Sequence, residues 1–157
     1  MTLSLVRVDD RLIHGQVVVG WGQALGARQL VLVDDEVFAS EWEREIYRVG
    51  VPPDMTIEFL PVDQAAGRVP EWEASSSRTI VVLGDVATAV RLCELAPRVK
   101  RVNLGGIHPA PERRQRLPYV FLTDGEASAL AALAARGVEI TAQDVPTARA
   151  VPLKELA

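Results

Sequence analysis

The stretches Gln29-Leu30-Val31-Leu32-Val33 and Thr79-Ile80-Val81-Val82-Leu83 are near-continuous aliphatic runs rich in β-branched residues. A strand with one wet face would alternate apolar and polar side chains, so runs like these specify strands covered on both faces, as in a parallel sheet. Working outward, shorter runs at Leu3–Val8, Thr56–Leu60, Arg101–Leu104, 119–122 and 138–142 bring the expected strands to seven. Helical patterns lie between them at about 15–25, 40–49, 85–95 and 125–135, with a short one at 62–67. Ser40 and Asp85 stand where side chains cap free N–H groups, and Gly26 and Gly137 where helices commonly end. The segment 69–77, with Pro70 and three consecutive serines, reads as a surface connection, and 105–118, with three prolines, as the longest loop. Strand and helix in alternation give an α/β fold: a single open, mainly parallel sheet of about seven strands with helices on both faces.

A chain of 157 residues, 48% hydrophobic and 24% charged, suits one globular domain spanning 1–157. The net charge of −4 argues against nucleic acid or anionic lipid as a partner, since both are bound through clustered Lys and Arg. Arg113, Arg114 and Arg116 are the one local basic run, and such runs usually form a solvated loop. Cys93 is the single cysteine, so no intramolecular disulfide forms, and its apolar helical setting marks a buried thiol. No signal-peptide pattern opens the sequence and no apolar stretch is long enough to span a bilayer, which points to a cytoplasmic protein.

The chemistry concentrates in Arg7-Val8-Asp9-Asp10-Arg11-Leu12-Ile13-His14-Gly15-Gln16-Val17, between the first strand and the first helix. Carboxyl ends of parallel strands open into a crevice faced by helix N-termini, the usual seat of function in α/β proteins. Neutral imidazole is a nucleophile, and its unperturbed titration near neutrality keeps much of it neutral in the cell. Gly15 removes bulk beside His14, and the N–H groups of Gly15, Gln16 and Val17 begin a helix, where they and the dipole suit an anion. Arg11, three residues earlier, can neutralise phosphoryl oxygens. Asp9 and Asp10 fit supporting roles, one orienting the imidazole or holding Arg11; an acidic residue at a strand end otherwise serves as a turn cap. These residues together suit phosphoryl transfer, which needs positioning and charge compensation more than covalent help from the protein.

This segment resembles the active-site signature of the IIB subunits of the mannose/fructose/sorbose-type sugar phosphotransferase system, Arg-x-Asp-Asp-Arg-Leu-Ile-His-Gly-Gln-Val, at every fixed position. Val102-Asn103-Leu104-Gly105-Gly106-Ile107 and Ala135-Arg136-Gly137-Val138 resemble its later recurring stretches. The resemblance implies a phosphotransferase in which His14 takes a phosphoryl group from a phosphohistidine on a IIA protein or domain, through Nδ1. The group would then pass to a sugar held by the membrane subunits IIC and IID, with the chain peripheral to that permease and no cofactor. It also implies Arg11 and the amides around Gly15, Gln16 and Val17 as phosphoryl contacts, and self-association as a common property. One departure is visible: Pro109, Pro111 and the Arg113-Arg114-Gln115-Arg116 run follow Gly106, altering a loop whose Gly105, Gly106, His108, Arg113 and Arg114 are candidate partner contacts.

Other signals carry less. Gly20-x-Gly22 with Gly26 has the wrong spacing for a dinucleotide fingerprint and lies within a helix. Asp34 and Asp35 with Asp9 and Asp10 suggest a magnesium site of receiver type, but the only lysines, Lys100 and Lys154, are not at strand ends that would complete one. Two distant histidines and one cysteine offer no zinc spacing, so no metal is expected. Trp21, Trp42 and Trp72 read as packing or interface residues. The rival functional class is a regulatory phosphocarrier using the same His14 without a transporter; a third, a degenerate binding module, is opposed by the intact signature.

Overall fold

The two aliphatic runs are adjacent parallel strands near the middle of one sheet. The computed structural model describes residues 3–157. Its strands are β1 (Leu3–Val8), β2 (Gln29–Val33), β3 (Thr56–Leu60), β4 (Thr79–Leu83), β5 (Arg101–Leu104), β6 (Arg114–Leu117), β7 (Val120–Leu122), β8 (Glu139–Ala142) and β9 (Val151–Pro152). Seven of them form a sheet in the order β3-β2-β4-β1-β5-β8-β9, parallel throughout except for β9 against β8. The expected α/β architecture is therefore present.

Strand alternation sorts the core into two layers. Val6, Val8, Val31, Val33, Val81 and Leu83 point to one face, where they pack with α4 (Val62–Ala74), α5 (Val86–Leu95) and α6 (Asp124–Ala135). Leu30, Leu32, Ile80 and Val82 point to the other, against Leu12, Ile13, Val37 and a π-helical segment, Gln16–Trp21, that runs into α1 (Gly22–Leu25). On that second face α2 (Asp35–Ala39) and α3 (Glu41–Val49) follow β2. Period-two alternation inside a wholly apolar run is what fills both layers at once. Among the described residues no helix is long and apolar enough to cross a membrane.

The structure departs from the sequence expectations in four places. The helix expected over 62–67 continues to Ala74 through Pro70, because Val69 and Trp72 are buried on the same face and their packing outweighs one lost backbone hydrogen bond. The strand expected over 119–122 belongs to a separate hairpin, β6 with β7, tied to the rest by an Ile107–Val120 bridge, so 105–118 is not wholly irregular. The seventh strand of the main sheet is instead β9, two residues long and too short to leave a pattern. The short α2 was not expected: Asp34 caps it by accepting the Val37 N–H at 2.9 Å, and Asp35 accepts the Val62 N–H at 2.9 Å. Both carboxylates thus serve local structure, and the described residues hold no cluster suited to a metal ion.

Burial pushes the Cys93 thiol up to about 11, so it packs in the core as an inert group. Ser40 and Asp85 cap α3 and α5, and Gly26 and Gly137 adopt positive φ angles at helix ends, as their positions suggest.

Candidate functional site

The chain leaves β1 at the point where the strand order turns from β4, β2 and β3 on one side to β5 and β8 on the other. The Asp9 N–H still reaches the Leu83 carbonyl at 2.8 Å, and the Leu12 N–H closes a turn onto the Asp9 carbonyl at 2.9 Å. Leu12 takes a left-handed φ of 60°, a conformation that costs a non-glycine residue about 1–2 kcal/mol. Its buried side chain offsets that cost in the second core layer, beside Gly84, where a Cβ would stand 3.2 Å from Leu12 Cδ2. That packing and the Leu12 N–H bond hold the turn, which folds Arg11 and His14 back over Asp9.

Asp9 is fully buried and is the hub. Its Oδ2 lies 3.2 Å from Arg7 Nη2, 3.1 Å from Arg11 Nη2 and 3.3 Å from His14 Nε2. Its Oδ1 accepts from the Arg11 backbone N–H at 3.2 Å and from Arg11 Nε at 3.1 Å. Burial alone would raise this carboxyl, but the imidazole of His14 against it, the Arg11 donors and the Arg7 charge outweigh it and hold the group well below the usual carboxylate range.

Arg7 is buried completely in the wall behind Asp9. It donates to the Asn103 Oδ1, to the Gln143 carbonyl at 2.8 Å and to the Asp144 carbonyl at 3.0 Å, with its guanidinium 5.0 Å from the Trp21 ring centroid. Desolvation lowers its pKa and the Asp9 charge works against that. Space for both guanidiniums comes from the two glycines after β5. A Cβ on Gly105 would fall 2.3 Å from Arg7 Nη2, and one on Gly106 would fall 3.2 Å from Arg11 Nε. Gly105→Ala is therefore expected to destabilise the fold by about 1–3 kcal/mol, as overpacking against a side chain with no room to retreat. Thermal or urea unfolding checks this, and unchanged stability would mean that Arg7 can move.

His14 is 18% exposed, with Nε2 shut from solvent against Asp9 at an angle outside a well-formed hydrogen bond. The Gln16 N–H approaches its Nδ1 at 3.3 Å. Gln16 Oε1 accepts from Arg11 Nη2 at 2.6 Å, so the guanidinium, 35% exposed, is fixed from two sides beside the ring. Gly15 is exposed, and a Cβ there would meet nothing within 4 Å, so no neighbouring side chain crowds the position next to His14. Val17 is fully buried and anchors the segment in the core through its side chain. In this orientation Nδ1 is turned away from Asp9 and lies beside the Arg11 guanidinium, its lone pair facing the Gln16 N–H.

Of the residues expected together, Asp9, Arg11, His14 and Gln16 converge. Asp10 turns elsewhere: it accepts the His108 N–H at 2.8 Å and contacts the His108 ring, and its own N–H reaches the Gly106 carbonyl. Arg113 forms a two-point pair with Glu126 and donates to the His108 carbonyl, Arg114 pairs with Asp124, and Arg116 is nearly buried against the Leu122 and Leu156 carbonyls. The arginine run is thus strand and hairpin structure, not a solvated loop. Sequence pattern alone gives Arg7 and Asn103 no role beyond their place in the two motifs; the one signal is a charged residue flanked by Val6 and Val8 in an apolar strand.

The chain matches the model of the PTS system sorbose subfamily IIB component over residues 3–157. It is 30% identical to the sorbose-specific EIIB component of Klebsiella pneumoniae, across 89% of this chain and 85% of that protein. It is 27% identical to the mannose-specific EIIAB component of Escherichia coli, across 94% of this chain and 46% of that longer protein. The crystal structure of the N-acetylgalactosamine-specific IIB component 1 from Escherichia coli superposes with a TM-score of 0.86 at 27% identity, covering 94% of this chain and 97% of that one. A buried arginine–aspartate hub beneath an imidazole, two glycines that make room for it, and a family match over all described residues identify the chain as a member of the sorbose subfamily of phosphotransferase-system IIB components.

Proposed function

We propose that this chain carries a phosphoryl group on Nδ1 of His14, taking it from a phosphohistidine of a IIA protein and giving it to a sugar held by the membrane subunits IIC and IID. The observation that carries the reading is the pairing of His14 Nε2 with the buried Asp9 carboxylate, which keeps the proton on Nε2 and the lone pair on Nδ1. Attack of that lone pair on phosphorus breaks the P–N bond of the donor, whose imidazole leaves. The ring of His14 gains positive character as the new P–N bond forms, and the Asp9 charge stabilises it. Arg11 stands beside the incoming oxygens, and the Gln16 N–H that now faces Nδ1 releases the lone pair as phosphorus arrives and can donate to a phosphoryl oxygen instead. Incubation with a phosphorylated IIA protein, followed by phosphorus NMR of the intact product, tests the reading: a single phosphohistidine substituted at Nδ1 supports it, and substitution at Nε2 overturns the orientation argument.

Arg11→Ala is expected to slow transfer by roughly 2–4 kcal/mol of transition-state stabilisation, the scale of a lost oxyanion donor. Asp9 keeps Arg7 as a partner in that variant, so the fold should survive. Single-turnover rates with the phosphorylated donor check it, and a wild-type rate would assign Arg11 to structure alone.

A further inference from the structure

Over β5 and β8 the second face of the sheet carries Arg101, Asn103, Glu139 and Thr141 in place of aliphatic side chains, and none of these four belongs to either core layer. A groove of about 540 Å³ opens there, walled on one side by Trp21 and Leu25 and floored by Asn103 and Thr141. Its charged lining is Arg78, Arg98, Lys100 and Arg101 against Glu73 and Glu139, a surplus of two positive charges on a chain whose net charge is −4. The volume lies in the range of small-molecule sites. Two of the cations have exposed side chains at the rim, Arg98 paired with the largely buried Glu73 at 3.2 Å and Arg101 with the exposed Glu139 at 3.6 Å, and the second, wider pair is the one an arriving anion exchanges at little cost. Asn103 spends its carbonyl oxygen on Arg7, which leaves its amide nitrogen for the groove. Cations at the rim with an amide and a hydroxyl below are a donor set for a phosphate joined to a polyol, while the indole of Trp21, whose N–H goes to the Asp144 carbonyl, serves only as an apolar wall.

The groove also shares its wall with the hub. Asn103 accepts from Arg7, Gln143 gives Arg7 its carbonyl, and Trp21 stacks on the Arg7 guanidinium, while the far side of Arg7 holds Asp9 beneath His14. We propose that this groove binds a small phosphorylated polyol, a sugar phosphate by chemical class, and that its occupancy is felt at His14 through Asn103, Arg7 and Asp9. Binding depends on the groove alone; the effect at His14 rests on the proposed phosphoryl acceptor. A ligand that draws Asn103 toward itself loosens Arg7 and thereby the carboxylate that keeps the imidazole oriented.

Titration of the labelled chain by proton–nitrogen NMR, with glucose 6-phosphate, inorganic phosphate and glucose in separate arms, tests the binding. Saturable shifts at 101–103 and 139–141 are expected with glucose 6-phosphate, weaker ones with phosphate and none with glucose. The double substitution Lys100→Ala and Arg101→Ala, on exposed rim positions, should weaken binding about tenfold, the scale of one lost charge-assisted contact. Absence of saturable shifts, shifts confined to 9–17, equal affinity for phosphate and glucose 6-phosphate, or an unaffected double variant would each overturn the site or its ligand class. For the coupling, the rate of His14 phosphorylation should change when glucose 6-phosphate saturates the groove, and the change should vanish in the double variant. An unchanged rate with bound ligand overturns the coupling. A wild-type chain that takes no phosphoryl group under any condition refutes the proposed acceptor, while the titration still decides the groove.

Discussion

His14→Ala is expected to accept no phosphoryl group from a phosphorylated IIA protein while keeping its fold. The imidazole sits on a loop, is 18% exposed and makes one amide contact, from Gln16, beyond its pairing with Asp9. Removing it leaves Asp9 with Arg7 and Arg11, so no buried charge is orphaned, and the stability loss should stay near 1 kcal/mol, the worth of an ordinary hydrogen bond. The chemical loss is of another order, because the Asp9 carboxylate beneath the ring is enclosed and already committed to two guanidiniums, and Asp10 is held by His108. Acid-labile phosphate on the variant, measured beside its unfolding curve, checks both halves. Label on a folded His14→Ala chain at a residue in the 7–17 segment would remove the proposed acceptor, and an unfolded variant would show that the ring is a structural element.

The sheet was legible because two short aliphatic runs rich in β-branched residues, Leu30 to Val33 and Ile80 to Leu83, lack the polar alternation of a half-wet strand and the length of a buried helix. What escaped were pieces whose placement is decided by distant partners. Pro70 ends a helix on local rules, but Trp72 packing continues it, and the arginines from 113 to 116 look like a solvated run until Glu126, Asp124 and two carbonyls claim them. The site followed the same division. His14, Arg11 and Gln16 are near neighbours in sequence, so a turn suffices to gather them, whereas the Arg7–Asn103 contact joins residues 96 positions apart and Gly105 explains itself only once Arg7 is seen beneath it. Asp9 and Asp10 looked equivalent as adjacent carboxylates; alternation at the end of β1 sends one inward to the hub and the other out to His108.

Asp9→Asn is expected to be the most destabilising single change at the site, on the order of 3–5 kcal/mol, because it leaves the enclosed Arg7 guanidinium with dipoles alone to balance it. The asparagine carbonyl can still accept one hydrogen bond, but its amide must face one of the guanidiniums that the carboxylate now binds. The sign of the pH dependence follows from the depressed folded pKa of Asp9. Its contribution to stability is complete above the ordinary carboxylate range, about pH 4, and drains away as pH falls toward the lower folded value, since the unfolded chain takes up the proton first. The wild type should therefore lose stability steeply below about pH 4, while Asp9→Asn starts lower and has no such group to protonate. Urea unfolding of the two proteins across pH 2.5 to 7 should give curves that converge in acid. Parallel curves would mean that Asp9 titrates alike folded and unfolded, and that the two guanidiniums exert no net hold on it.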